Sequence, residues 1–251
     1  MALQTWSQVR SESLGMRTTV MVAVPESVEG PPATPPPGGW PVLVLLHGLS
    51  GNHMQWPSNV NVQNLATRRG VVIVMPDGQR SFWVDAAHGL AWGTWVGSEL
   101  PHLVRNTLQV SDSRERTVVG GLSMGGYGSF RAALDHPDVF GAAFSLSGTL
   151  DLTETSFQGR HRDLFEDYLG GYDVAGGPHD LVSRIASGEG RDLRLFATCG
   201  TEDRLLAQNH RFRDTAAEVG QPLVWEEGPG VHDFAFWTRW LPLAMDAVGL
   251  G

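Results

Sequence analysis

The sequence predicts a doubly wound α/β fold, a mostly parallel sheet with helices on both faces. Two observations carry this. Short apolar, β-branched runs alternate with helix-length stretches along most of the chain. The runs in the middle of the chain are apolar on both faces, as strands covered from both sides must be.

The predicted strands are Thr18 to Val24, Val42 to Leu46, Val71 to Met75, Thr117 to Leu122, Ala142 to Leu146, Leu193 to Thr198 and Leu223 to Trp225. Each is bounded by turn-forming residues. The helix-length stretches between them are Asn61 to Arg69, Glu99 to Gln109, Met124 to His136, Leu205 to Val219 and Phe234 to Val248. Pro and Gly crowd residues 29 to 39, which cannot propagate a helix and have little to bury, so an exposed loop between two strands is expected there. The 251 residues suit one catalytic domain spanning 1 to 251, and no internal repeat is visible. The stretch from Asp151 to Ser187 is too long for a simple crossover, and a small cap over the site is expected from it.

Charge and cysteine content narrow the function. A net charge of -9 excludes a nucleic-acid partner, which needs a basic face to neutralise phosphates. Cys199 is the single cysteine and has no intramolecular disulfide partner, which fits a reducing compartment. Met1 to Val20 lacks a long apolar run behind a basic start, and no segment reaches bilayer length, so no membrane association and a cytoplasmic location are expected. His47 and His53 are six apart, without a helical metal-ligand rationale, and no glycine-rich phosphate loop follows a strand. Neither metal nor nucleotide cofactor is expected. The residues leave the oligomeric state open, a homo-oligomer included.

The sharpest local signal is Gly121-Leu122-Ser123-Met124-Gly125, between an apolar run and a helical stretch. A serine in a tight strand-to-helix turn needs small neighbours, because its strained backbone brings adjacent side chains into collision. Such a turn presents the hydroxyl above the sheet. The rival reading, Ser123 as a plain helix N-cap, explains the serine but not the partners downstream.

A serine hydroxyl is a weak nucleophile and needs a base within hydrogen-bond reach, oriented by a third group. In this architecture the order along the chain is serine, acid, histidine, the last two on loops after later strands. Of the nine histidines, only His232 lies on a loop after the last strand. Glu202 and Asp203 both lie on the loop leaving the preceding strand, and either carboxylate can be the acid. The oxyanion needs preorganised backbone N–H donors. Met124, which follows the nucleophile, offers one, and the loop His47-Gly48-Leu49-Ser50-Gly51 offers another, with Leu49 the candidate. Trp83, Trp92 and Trp95 follow the Val71 to Met75 run and are candidates to wall a substrate pocket, with core packing as their other fate.

The chain resembles the esterase D-like family of α/β-hydrolases, and most of all its tributyrin esterase branch. The resemblance is carried by Ser13-Leu14-Gly15-Met16, Leu46-His47-Gly48-Leu49-Ser50-Gly51, Met75-Pro76-Asp77-Gly78, Glu99-Leu100-Pro101, Gly121 through Gly128, Cys199-Gly200-Thr201-Glu202-Asp203 and Gly230-Val231-His232-Asp233-Phe234. It implies an α/β-hydrolase fold and cofactor-free hydrolysis of small, short-chain esters. It also implies catalytic roles for Ser123, Asp203 and His232, settling the choice of acid on Asp203, and oxyanion roles for the Leu49 and Met124 amides. Two rivals stand beside this expectation: an acyltransferase of the same fold, and a catalytically silent hydrolase-like binding protein.

Overall fold

The computed structural model describes residues 3–27 and 33–251. Its centre is an eight-stranded sheet whose strands, in chain order, are β1 (Gln4–Ser11), β2 (Met16–Ala23), β3 (Val42–Leu46), β4 (Val72–Pro76), β5 (Thr117–Leu122), β6 (Ala142–Leu146), β7 (Arg194–Gly200) and β8 (Leu223–Gly228). In space the order is β1-β2-β4-β3-β5-β6-β7-β8. From β4 to β8 every pairing is parallel, while β2 runs antiparallel to β4 and β1 to β2. The strand order reverses between β3 and β5, so the carboxyl ends of those two strands flank the crevice where α/β folds bind ligands.

β3, β4 and β6 are buried at every residue, which explains their lack of alternation. Side chains still divide between the faces. Leu43, Leu45, Ile73 and Phe144 join α1 (Val62–Arg69) and α8 (Phe234–Ala247) in one core. Val42, Val44, Val74 and Val119 join α3 (Leu100–Thr107), α4 (Met124–Asp135), α6 (Leu181–Ala186) and α7 (Leu206–Glu218) in the other. A short helix α2 (Trp92–Thr94) enters α3 through a π-helical turn, Trp95–Glu99. The remaining helix, α5 (Thr155–Arg160), follows β6.

β1 was absent from the sequence reading. It is an edge strand with a register break between Trp6 and Val9, and only Ser11 of its residues is fully buried. A strand lying in solvent on one side needs no apolar run, and a bulge breaks what alternation remains. The Pro-rich loop lies between β2 and β3, and its residues 29 to 32 fall outside the described residues; 33 to 39 are irregular.

The stretch 151 to 187 divides in two. Its first part, α5 and a π-helical turn at Leu164–Tyr168, reaches the loop after β4: Ala87 N–H donates to Tyr168 O at 2.8 Å, His88 N–H to Asp167 O at 3.1 Å, and Arg80 pairs with Asp163 at 2.7 Å. Its second part, α6, joins the helix layer through Leu181, Val182 and Ile185. The first part therefore packs against the loop that leaves the carboxyl end of β4.

Candidate active site

Ser123 is the hinge between β5 and α4. Its φ of 55° and ψ of −116° lie in a region that costs a non-glycine residue about 1–3 kcal/mol. The surroundings over-determine this conformation. Ser123 N–H donates to Leu146 O of β6 at 2.9 Å, and Ser123 O accepts from Gly126, Tyr127 and Thr149 N–H at 3.0, 3.2 and 3.3 Å. Gly125 permits the first turn of α4 to touch β3: a Cβ there would sit 2.5 Å from Leu46 O and 2.7 Å from His47 O. That contact sets the start of α4 beside the loop leaving β3.

Two later loops bring the partners. The turn after β7 holds Asp203, whose N–H donates to Gly200 O at 3.0 Å and whose Oδ1 accepts from Leu205 N–H at 2.9 Å. The loop after β8 holds His232, and Asp233 then caps α8 by accepting the Phe236 N–H at 3.1 Å. His232 Nε2 lies 2.9 Å from Ser123 Oγ, and its Nδ1 lies 2.8 Å from Asp203 Oδ2. Trp237 meets the imidazole edge-on at 5.0 Å and 88°. With Nδ1–H donated to the carboxylate, Nε2 is left as the acceptor for the serine proton.

Burial pushes the Asp203 pKa up, but the hydrogen bond and charge of His232 and the Leu205 N–H outweigh it, so the carboxyl ionises below its ordinary range. Its side chain is fully shielded from solvent, whereas His232 keeps 12 % exposure. The Asp203 carboxylate is thus charged and dry, and the imidazole remains partly open to solvent.

Glu202 does not compete for the imidazole. Its carboxylate accepts the Gly230 N–H at 2.7 Å while its own N–H donates to Gly230 O at 3.1 Å, which ties the acid turn to the histidine loop.

The loop after β3 is held from several sides. Gly48 N–H donates to Gln55 Oε1 at 2.8 Å, Trp56 Nε1–H to Leu46 O at 3.0 Å, and Trp83 Nε1–H to His47 O at 3.3 Å. Buried His47 accepts the Gly78 N–H on Nε2 at 3.0 Å, which leaves Nδ1–H to donate to Gly48 O at 2.8 Å. Gly48 approaches Ser123 closely, for a Cβ there would lie 2.6 Å from Leu122 Cδ1 and 3.5 Å from Ser123 Cβ. Among the described residues, the N–H groups of Leu49 and Met124 have no protein acceptor. Met124 is the first residue of α4, where no intrahelical acceptor exists. One unspent donor thus directly follows Ser123, and the other lies on the loop whose Gly48 approaches it.

Trp83, Trp92 and Trp95 are placed differently from the pocket expected of them. They are 0 %, 2 % and 0 % exposed and belong to the core, because the loop after β4 packs on the face covered by α3, α4, α6 and α7. Trp83 lies against His47 with ring centres 4.9 Å apart and braces the loop from beneath. The sequence reading missed Gln55 and the bracing role of Glu202. Gln55 belongs to no motif, and the motif that contains Glu202 marks it only as a candidate acid; each acts by reaching a backbone N–H on another segment. Among the described residues no group of three or more His, Cys, Asp or Glu side chains is arranged to hold a metal ion.

Residues 11–244 match the model of the family described as "Putative esterase". The chain belongs to that family. An acetyl esterase of Caldicellulosiruptor saccharolyticus is 29% identical over 216 residues, covering 81% of each chain. The S-formylglutathione hydrolase of Bos taurus is 28% identical over 228 residues, covering 79% of each. Among solved structures, the fluorophosphonate-binding serine hydrolase FphF of Staphylococcus aureus superposes with a TM-score of 0.83 at 25% identity, over 99% of this chain and 98% of its own. This member of the esterase family has the α/β-hydrolase fold and is a serine ester hydrolase. No helix among its described residues is long and apolar enough to cross a membrane.

Proposed function

We propose that this esterase hydrolyses small carboxylic esters with short acyl groups through an acyl-enzyme on Ser123, within one catalytic domain. The observation that carries the reading is the unbroken line from Asp203 through His232 to the Ser123 hydroxyl, with contacts of 2.8 and 2.9 Å. In this reading His232 Nε2 takes the serine proton as Oγ attacks the ester carbonyl, and the Asp203 carboxylate stabilises the imidazolium. The N–H groups of Leu49 and Met124 receive the negative charge on the carbonyl oxygen. His232 returns the proton to the leaving alcohol, and water then repeats the sequence on the acyl-enzyme.

Preformed donors at such a position contribute about 3 kcal/mol each to lowering the barrier in comparable enzymes. The likeness to an acetyl esterase favours a short acyl group. A cytoplasmic location belongs to the same proposal; it leans on the unpaired, buried Cys199 and is checked by cell fractionation.

The test is Ser123→Ala assayed on p-nitrophenyl acetate and butyrate, with labelling by a fluorophosphonate probe. The expected result is loss of turnover by a factor on the order of 10⁴ or more and loss of labelling, with an unchanged circular dichroism spectrum. Retained turnover removes Ser123 from the chemistry. Product analysis in the presence of added alcohols separates hydrolysis from acyl transfer, and an unlabelled wild type would indicate the silent binding protein.

A further inference from the structure

The segments leaving β6 and β7 enclose an open cleft of about 660 Å³, with Asp151, Glu154, Arg160, Arg204, Gln208 and Arg211 in its walls. That volume suits a small-molecule ligand. The segments that wall the cleft also carry or support the triad: Arg204 directly follows Asp203, and Asp151 lies two residues beyond Thr149, whose N–H donates to Ser123 O.

Its charges do not cancel. Asp151 pairs with Arg211 at 2.6 Å, and Glu154 accepts from Gln208 at 2.9 Å. Among the described residues the Arg160 and Arg204 side chains make no ion pair or hydrogen bond. One carboxylate, that of Glu154, therefore stands against two guanidiniums, which leaves a single positive charge in a chain whose net charge is -9.

His161 reports the same convergence. Burial lowers its pKa; Asp163 opposes this, while the positive charges of Arg160, Arg80 and Arg204 add to it. Arginines from three separate segments thus act on one point of the rim. Arg80 is already paired with Asp163, so Arg160 and Arg204 are the guanidiniums left available.

We propose that this cleft is a subsite for a single carboxylate carried by the ester, bound by Arg160 and Arg204, so that the preferred substrates are monoanionic esters. The proposal rests on the reading of Ser123 as the nucleophile. Planar guanidinium groups suit a carboxylate, which each can engage through paired N–H donors. One uncompensated positive charge matches one negative charge, which disfavours a dianionic phosphate.

The test compares kcat/KM for two matched pairs, with spontaneous hydrolysis subtracted. Mono-4-nitrophenyl adipate against its methyl ester places the charge on the acyl side, and 4-acetoxybenzoate against its methyl ester places it on the alcohol side. The expected wild-type ratio of charged to neutral substrate exceeds one in at least one pair. In the Arg160→Gln/Arg204→Gln double variant that ratio falls about tenfold, through KM more than kcat. Dividing by the neutral ester removes any effect of the substitutions on folding or on Asp203. Ratios below one in both wild-type pairs, or a ratio unchanged in the double variant, overturn the subsite. If the wild type turns over none of the four esters, the esterase reading fails on its own, and titration calorimetry with adipate and benzoate decides the cleft. Heat lost in the double variant upholds the subsite, and heat absent from the wild type or retained in the variant overturns it.

Discussion

Glu202 accepts the Gly230 N–H at 2.7 Å, two residues before His232, and so joins the turn that carries Asp203 to the loop that carries His232. The contact fixes the spacing between Asp203 and His232 without touching either side chain. Glu202→Ala is expected to lower kcat several-fold with little change in KM, because a base displaced by a fraction of an ångström transfers its proton less well. Steady-state kinetics on p-nitrophenyl butyrate measure this. Glu202→Gln keeps an acceptor for the N–H and is expected to restore most of the loss; equal loss in both variants would mean that the charge matters more than the bond.

Gln55 plays the corresponding part for the loop after β3. Gln55→Ala leaves Gly48 N–H without its acceptor and frees the loop that presents the Leu49 N–H. The expectation is a drop of about tenfold in kcat, less than the 10²–10³ for complete loss of an oxyanion donor. The lost hydrogen bond itself contributes about 1 kcal/mol to stability. Urea unfolding, run alongside the kinetics, separates the two effects.

The lowered pKa of Asp203 makes stability depend on pH in a definite direction. A carboxyl that ionises below its ordinary value of 3.8 when folded stabilises the protein above that value. The contribution disappears as pH falls through 3.8 and on through the lower folded value. Asp203→Asn abolishes this term, so its melting temperature is expected to fall less steeply than the wild type's between about pH 5 and pH 3. Near neutral pH the same variant holds His232 in the wrong tautomer and is expected to lose about 10⁴ in kcat. Parallel melting curves for the two proteins would contradict the assignment of that carboxyl.

Gly125 is where the Ser123 turn meets the sheet. Gly125→Ala sets a methyl group 2.5 Å from the Leu46 carbonyl oxygen, against backbone that has no free rotamer with which to yield. The expected destabilisation is about 3 kcal/mol or more. It is read as a lower urea midpoint and a reduced yield of folded protein.

Periodicity and motif spacing alone located β3, β5 and β6 to the residue, and placed β2, β4, β7 and β8 within a few residues. Apart from β8, which is half-buried or exposed throughout and was placed by its short apolar run, those strands are largely buried, so their position is written in apolar runs that solvent exposure does not blur. Chain order and the loop after the last strand pointed to His232, and the flanking glycines pointed to Ser123, because both signals are local. β1 escaped, since an exposed edge strand needs no continuous apolar pattern.

What only the tertiary structure decided are relationships between distant segments. Whether the loop after β4 offered its tryptophans to a substrate or to the core depended on how it folds back; it folds back, and Trp83 became a brace for His47 O. The direction of each neighbouring carboxylate, Glu202 turned to Gly230 and Asp203 to His232, was likewise set by contacts between distant segments. The convergence of Arg80, Arg160 and Arg204 on His161 was invisible for the same reason. Hydrophobic periodicity records whether a residue is buried, and it carries no information about which remote residue a polar side chain will meet.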